Sequence, residues 1–384
     1  MPRVYFDHSA TTPVDPRVLA AMMPYHRERF GNPASLHVYG QEADAAVEAA
    51  RQQVARVLGC QPQEVVFTGG GTESNNAAIK GVLLALMRRE KRHLIVSAVE
   101  HPSVLEPARQ WARLFGLDLT VLPVDGYGRV DPDDLRRALR KDTALVSIMW
   151  ANNEVGTLQP VRELAGICQE AGVVFHVDAV QAAPHLPLEL DRVPVHLVSI
   201  SAHKMYGPKG VGALVVRGGT PFEPLLVGGG QEYGLRSGTL NVPGIVGLAT
   251  ALSLAQEERE ARWDHLVRLR NRLIEGVLER LPEARLTGHP VDRLPHHASF
   301  VIPGVDAQVL LPMLDLAGFA CSSGSACKVG VPEPSEVLLA MGYSPEEARG
   351  ALRVTLGKDN TLAEVEAFLE VLPSIVARAR EAYG

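Results

Sequence analysis

An α/β fold built on a mostly parallel sheet is predicted by three features of this sequence. Short apolar runs alternate with helical patterns from Val65 to about Gly244. The runs are apolar throughout rather than at every second residue, as in strands covered on both faces. Polar residues recur just past the carboxyl ends of those runs, the edge at which open α/β sheets bind ligands.

Taken in order, Asp7-His8-Ser9-Ala10-Thr11-Thr12-Pro13 reads as a loop before a helix over 16–30, capped by Asp15 with Pro16 in its first turn. Gly31-Asn32-Pro33-Ala34-Ser35 breaks that helix. A second helix over 41–58 carries Ala43, Ala46, Val47, Ala50, Val54 and Val57 on one face. The repeating pattern then starts. Val65-Val66-Phe67 leads through Gly69-Gly70-Gly71-Thr72 to a helix ending near Met87. The strand from Leu94 to Val99 leads through Glu100-His101-Pro102-Ser103 to a helix ending near Phe115. A strand over 119–122 and a helix from about Asp131 follow. The strand over 144–149 ends at Asn152-Asn153-Glu154, and that over 173–178 ends on Asp178. Two further apolar runs flank Ser201-Ala202-His203-Lys204-Met205-Tyr206-Gly207-Pro208-Lys209-Gly210, a turn between buried strands.

A long helical pattern over 244–281 closes the sheet region. Beyond it lies a smaller α+β region, with strands over 298–302, at Ala320 and over 352–355, and helices over 306–316, 335–341 and from Leu362 onward. The expected organisation is an arm of residues 1–15 packing with the small domain, a large domain of 16–258 and a small domain of 259–384.

Composition narrows the function classes. The 384 residues suffice for two domains and a large core. A net charge of -6 without a dense basic run argues against a nucleic-acid surface. No run approaches membrane-spanning length, and Met1-Pro2-Arg3-Val4-Tyr5-Phe6-Asp7 lacks a signal peptide's apolar centre. Cys60, Cys168, Cys321 and Cys327 form no Cys-x-x-Cys pair, so neither a zinc site nor a disulfide framework is expected. A reducing cytoplasm is the expected compartment.

Thr72, His101, Asn153, Asp178 and Lys204 each follow a candidate strand and read as one site. Lys204, between buried strands, either belongs to an ordinary surface turn or has chemistry to do. One such chemistry is a Schiff base with pyridoxal phosphate, which needs an amine of suppressed charge. Ser201 and His203 beside it could donate to a phosphate. Gly69-Gly70-Gly71-Thr72 opens a helix where backbone N–H groups and the dipole favour an anion. It is neither a Walker A loop nor a Rossmann fingerprint, and the alternative is a glycine turn without ligand.

Asp178 is costly if buried and unpaired. A protonated pyridine nitrogen would partner it; a helix cap before Ala179 is the alternative. Gln181 and Asn153 could bond a cofactor's phenolic oxygen, and His101 could stack on its ring, shuttle protons or be structural. Cys327 lies among small residues in Ser323-Gly324-Ser325-Ala326-Cys327-Lys328, where a thiol is available and Lys328 lowers its pKa. Cys60, Cys168 and Cys321 read as packing residues. Arg353 alternates with apolar neighbours, so it either points into a cleft that takes a carboxylate or makes an edge-strand salt bridge.

Together, Asp7-His8-Ser9-Ala10-Thr11-Thr12-Pro13, Gly31-Asn32-Pro33-Ala34-Ser35, Thr72-Glu73-Ser74-Asn75-Asn76, Glu100-His101, Asn152-Asn153-Glu154-Val155-Gly156, Asp178-Ala179-Val180-Gln181, Ser201-Ala202-His203-Lys204, Arg236-Ser237-Gly238-Thr239 and Ser323-Gly324-Ser325-Ala326-Cys327 closely resemble cysteine desulfurases of the NifS/IscS type. The match runs in register over nearly the whole chain. The resemblance implies a class-V aminotransferase-like, fold-type-I pyridoxal phosphate enzyme with a seven-stranded sheet, forming a homodimer whose active sites lie near the subunit interface. It implies conversion of L-cysteine to L-alanine, with Lys204 as the Schiff-base lysine and Cys327 as the sulfur acceptor that becomes a persulfide.

The same resemblance places Gly71, Thr72, Ser201 and His203 on the cofactor phosphate, joined by Thr239 of the neighbouring subunit. Asp178, Gln181, Asn153 and His101 hold the ring, and Arg353, Asn32 and Asn153 meet the substrate. The implied partners are an iron–sulfur scaffold protein or a thiolation acceptor, with no nucleic acid and no membrane. No resident metal is implied; Cys327 is the candidate contact for a transferred iron–sulfur cluster. Two departures stand out: a slightly shorter loop after Cys327, which bears on partner choice, and the Gly69-Gly70-Gly71 turn, where many relatives have other small residues. The alternatives are an aminotransferase or selenocysteine lyase on this scaffold, or a catalytically silent sulfur-assembly subunit.

Overall fold

The computed structural model describes residues 3–87, 89–324 and 334–383. Caps and prolines set its first boundaries. After β1 (Val4–Tyr5), Asp15 accepts the amide of Arg17 and caps α1 (Pro16–Met22). The single helix expected over 16–30 is two, because Pro24 lacks an N–H to continue the ladder and instead opens α2 (Pro24–Arg27). α3 (Val38–Leu58) starts earlier than expected, capped by His37, and ends at Gly59 with φ of 73°.

The alternation follows: β2 (Val65–Thr68), α4 (Gly71–Met87), β3 (His93–Ser97), α5 (Pro102–Phe115), β4 (Asp118–Leu122), α6 (Pro132–Ala138), β5 (Thr143–Ser147), α7 (Val161–Glu170), β6 (Val174–Asp178), β7 (Leu197–Ser201), β8 (Gly212–Val216) and α8 (Val242–Glu257). Seven strands form one sheet in the order β2-β8-β7-β6-β5-β3-β4. β8 runs against both its neighbours. Parallel neighbours need a crossover of about a dozen residues or more, and the turn from Ser201 to Gly212 is too short for one.

Side-chain alternation explains the uniformly apolar runs. Val65 and Phe67 of β2 enter the core shared with α3 and α8, while Val66 enters the core shared with α4 and α5. Ala213 and Val215 of β8 oppose Leu214 and Val216 in the same way. With both faces covered, no position is left to be polar for solvent. Polar exceptions are satisfied between strands: His176 of β6 bridges Ser147 Oγ of β5 at 2.8 Å and Ser199 Oγ of β7 at 2.9 Å, and His93 of β3 bridges Thr143 of β5 and Thr120 of β4.

The helical pattern over 244–281 is broken at Glu258, whose carboxylate pairs with Arg17 and Arg262, and α9 (Arg259–Arg280) resumes beyond it. Then come β9 (Arg285–Leu286), β10 (His297–Val301), α10 (Ala307–Leu316), β11 (Phe319–Ala320), α11 (Glu336–Ala340), α12 (Pro345–Arg349), β12 (Ala351–Thr355) and α13 (Leu362–Tyr383). β12, β10 and β9 form an antiparallel sheet over a second core that includes Leu273, Phe300 and Phe368. Phe6 is buried in that core, and β1 pairs in parallel with β11. Among the described residues, no helix is long and apolar enough to cross a membrane.

One buried ion pair ties the loop before α8 to the sheet domain. Arg51 of α3 donates to Glu232 through Nη1 at 2.9 Å and Nη2 at 2.7 Å, and the amide of Phe67 donates to Glu232 at 2.7 Å. Glu232 and Tyr233 both adopt positive φ there, 51° and 58°. Replacing Glu232 with alanine leaves the buried Arg51 guanidinium only the partly exposed Glu48 carboxylate and the Val65 carbonyl among the described residues, so the protein should lose about 3 kcal/mol of stability. A urea midpoint that does not fall would show that the pair contributes nothing.

Candidate active site

The carboxyl ends of β2, β7, β6, β5 and β3 open on one cavity of about 800 Å³. Its walls include Gly71, Thr72, His101, Asn153, Asp178, Gln181, Ser201, His203, Lys204 and Arg353. β4 contributes none of them because it is the edge strand beyond β3. Asn32 and Thr239 are exposed and lie outside this wall, and Asn32 Oδ1 accepts from the Ala34 amide at 3.0 Å. Cys327 and Lys328 lie outside the described residues; Gly324, which precedes that stretch, is in the cavity wall.

Lys204 ends a short turn after β7, and its Nζ donates to the carbonyls of Ser9 at 2.5 Å and Ala10 at 2.8 Å. Burial and then the charge of Arg353 push its pKa down to about 8, against Asp7 and Asp178. That is the suppressed charge an amine nucleophile needs. Asp178 is the last residue of β6 and only 7% exposed. Its Oδ1 accepts the Val180 amide at 2.9 Å, a cap-type bond, and its Oδ2 accepts Asn75 Nδ2 at 2.7 Å.

His101 caps α5, with Nδ1 accepting the Ser103 amide at 3.1 Å. Burial lowers its pKa, with Asp178 acting against and Lys204 acting with that effect. His203 is held to about 4 by burial, then by Lys204 and Lys209; an anion in the cavity would oppose all of this. Its Nδ1 is 3.2 Å from Thr11 Oγ1, and Gln181 Nε2 donates to the Ser9 carbonyl at 2.9 Å. Arg353 combines both readings of the sequence: it lines the cavity, yet donates to Asp7 Oδ1 at 2.7 Å and to the Asn153 carbonyl at 2.8 Å. Its buried Nε has no hydrogen-bond partner among the described residues.

Asp7, Ser9, Ala10 and Asn75 are site residues to which the sequence reading assigned no role. The arm residues reach the cavity because β1 pairs with β11 and Asp7 bridges Thr355, contacts far apart in sequence. Asn75 had one usable signal: it lies three residues beyond Thr72, on the same face of α4.

The donor set fits pyridoxal phosphate. Gly70, with φ of 146°, and Gly212, where a Cβ would stand 2.8 Å from the Gly70 backbone, let the chain pass close beside the N-terminus of α4. Helix amides there, with Lys204, Lys209 and His203 in the same cavity, suit a phosphate. Asp178 suits a protonated ring nitrogen and Lys204 an aldehyde. Among the described residues, no group of three or more His, Cys, Asp or Glu is placed to hold a metal ion.

The sequence model of a family described as Aminotransferase class-V matches residues 4–368. The chain belongs to that family. It is 47% identical, over 98% of its length, to the protein named Cysteine desulfurase IscS of Dictyoglomus turgidum (strain DSM 6724 / Z-1310), 95% of which is covered. Cysteine desulfurase IscS of Methanosarcina thermophila is 46% identical over 98% of this chain and 93% of that protein. A solved structure described as NIFS-LIKE PROTEIN superposes with a TM-score of 0.92 at 41% identity, covering 98% of this chain and 100% of that one. Another, SspA in complex with cysteine, gives 0.81 at 35% identity over 93% and 99%. Within the family the chain sits with the cysteine desulfurases, enzymes that depend on pyridoxal phosphate.

Proposed function

We propose that this enzyme moves the sulfur of L-cysteine onto Cys327, releases L-alanine, and passes the sulfur to an iron–sulfur scaffold or thiolation protein in the cytoplasm. The observation that carries the reading is the convergence of Lys204, Asp178, His101 and Arg353 on one cavity, with Gly324 of the Cys327-bearing segment in its wall. Bound pyridoxal phosphate supplies an electron sink beside the substrate α-carbon. Gly71, Thr72, Ser201 and His203 hold its phosphate, with Thr239 of a second copy completing the set in a homodimer. Asp178 keeps a proton on the ring nitrogen, and Gln181 and Asn153 bond the ring oxygen. Lys204 anchors the aldehyde carbon and later carries the proton at the substrate α-carbon.

Arg353 takes the substrate carboxylate, with Asn153 beside it. The Cys327 thiolate then attacks the substrate sulfur. The carbon–sulfur bond breaks, a sulfur–sulfur bond forms, and the carbon fragment takes up a proton to become alanine. One thiol and one cysteine give one persulfide and one alanine, so no outside oxidant is required. Purified enzyme given L-cysteine and a thiol reductant should release alanine and sulfide in equal amounts. Alanine formed only when a keto acid is added would replace this reading with an aminotransferase.

Two further outcomes follow from the geometry. A protonated amine cannot attack an aldehyde, so capture of added cofactor by cofactor-free enzyme should accelerate as pH rises through about 8. Stopped-flow absorbance measures this, and a rate that is flat across that value would show that Lys204 does not titrate there. Arg353→Lys removes a planar fork, which should raise KM for cysteine about 10–100-fold with a smaller change in kcat. An unchanged KM would remove Arg353 from the carboxylate.

A further inference from the structure

The proton on His101 can be placed by following hydrogen bonds outward from a group of fixed polarity. A carboxylate only accepts, so the Asn75 atom 2.7 Å from Asp178 Oδ2 is the amide nitrogen. The second hydrogen of that nitrogen goes to Ser103 Oγ, 2.8 Å away. Ser103 Oγ also lies 2.7 Å from His101 Nδ1, and because that nitrogen accepts the Ser103 amide, the hydroxyl turns its hydrogen toward it. The Ser103 backbone N–H reaches the same nitrogen at 3.1 Å. Nδ1 therefore faces two donors, and the ring proton sits on Nε2.

We propose that His101 is held as a neutral imidazole with its proton on Nε2, facing the cavity as a hydrogen-bond donor, and that Asn75 and Ser103 position it so. Protonating Nδ1 would set two N–H groups against each other and break the cap of α5, whose positive dipole end also opposes a cation. Of the charged groups facing the ring, Lys204 opposes a second proton and Asp178 favours one. Glu100, next in the chain, is turned away onto Ser97 Oγ and the Met149 amide. The tautomer does not rest on the desulfurase reading.

NMR of enzyme carrying 15N-histidine tests this in both the holoenzyme and the cofactor-free protein, with His101→Gln identifying the resonance. His101 should show a protonated Nε2, a bare Nδ1 and no titration between about pH 5 and about pH 9. Asn75→Ala frees the Ser103 hydroxyl to rotate and should make His101 titrate within that window, whereas Ser103→Thr, which keeps the hydroxyl, should not. A wild-type His101 that titrates there, or that carries its proton on Nδ1, overturns the proposal. So does an Asn75→Ala protein whose His101 stays silent. Should Asn75→Ala fail to fold, the wild-type spectra alone decide. Absent alanine formation with these spectra intact would sink the desulfurase reading and leave the tautomer standing.

Discussion

Lys204→Ala should abolish alanine formation from cysteine, a loss of about 10³-fold or more, and should remove the adduct that borohydride traps between enzyme and cofactor. The structure isolates the effect to chemistry. The Lys204 amine makes two bonds, both to carbonyls of the N-terminal arm, while the sheet beneath it is held by strand pairing that alanine leaves untouched. Asp178 and the α4 N-terminus remain, so the variant should still bind cofactor noncovalently. Mass spectrometry after reduction provides the check. An adduct that persists in the variant would move the anchor to another amine, with Lys209 a candidate in the same wall.

Cys327→Ala should leave a protein of normal colour, fully loaded with cofactor, that forms no alanine above about one part in 10³ of the wild-type rate. No described thiol can take over. Burial pushes the thiols of Cys60 and Cys168 up to about 12, and burial with the charge of Asp7 raises that of Cys321. All three are therefore protonated at neutral pH and poor nucleophiles. Cofactor absorbance and alanine yield are the paired readouts. Undiminished turnover in a normally coloured variant would refute the acceptor role.

Much of this site was legible in the chain because five of the seven strands export one polar residue at the same end of the sheet. Thr72, His101, Asn153, Asp178 and Lys204 needed only the strand–helix alternation to be read as neighbours, and the cavity contains all five. The alternatives left open at single residues met different outcomes. Asp178 makes a cap bond with one oxygen and an amide contact with the other. Arg353 makes a salt bridge, to Asp7, and still borders the cavity. The contribution of the arm was not legible, since Ser9 and Ala10 meet Lys204 through backbone carbonyls, which any residue carries.

The order of apolar runs, glycines and polar strand ends by itself determined the α/β class, the edge that forms the site and most of its side chains, because those follow from local periodicity and from the direction of parallel strands. Tertiary structure alone decided that Asp7 occupies Arg353, that the arm's carbonyls receive Lys204, and that Asn75 joins Asp178 to the Ser103 hydroxyl beside His101. Each of these depends on atoms distant in sequence meeting within about 3 Å, a distance that burial and long-range pairing set and that no local pattern encodes.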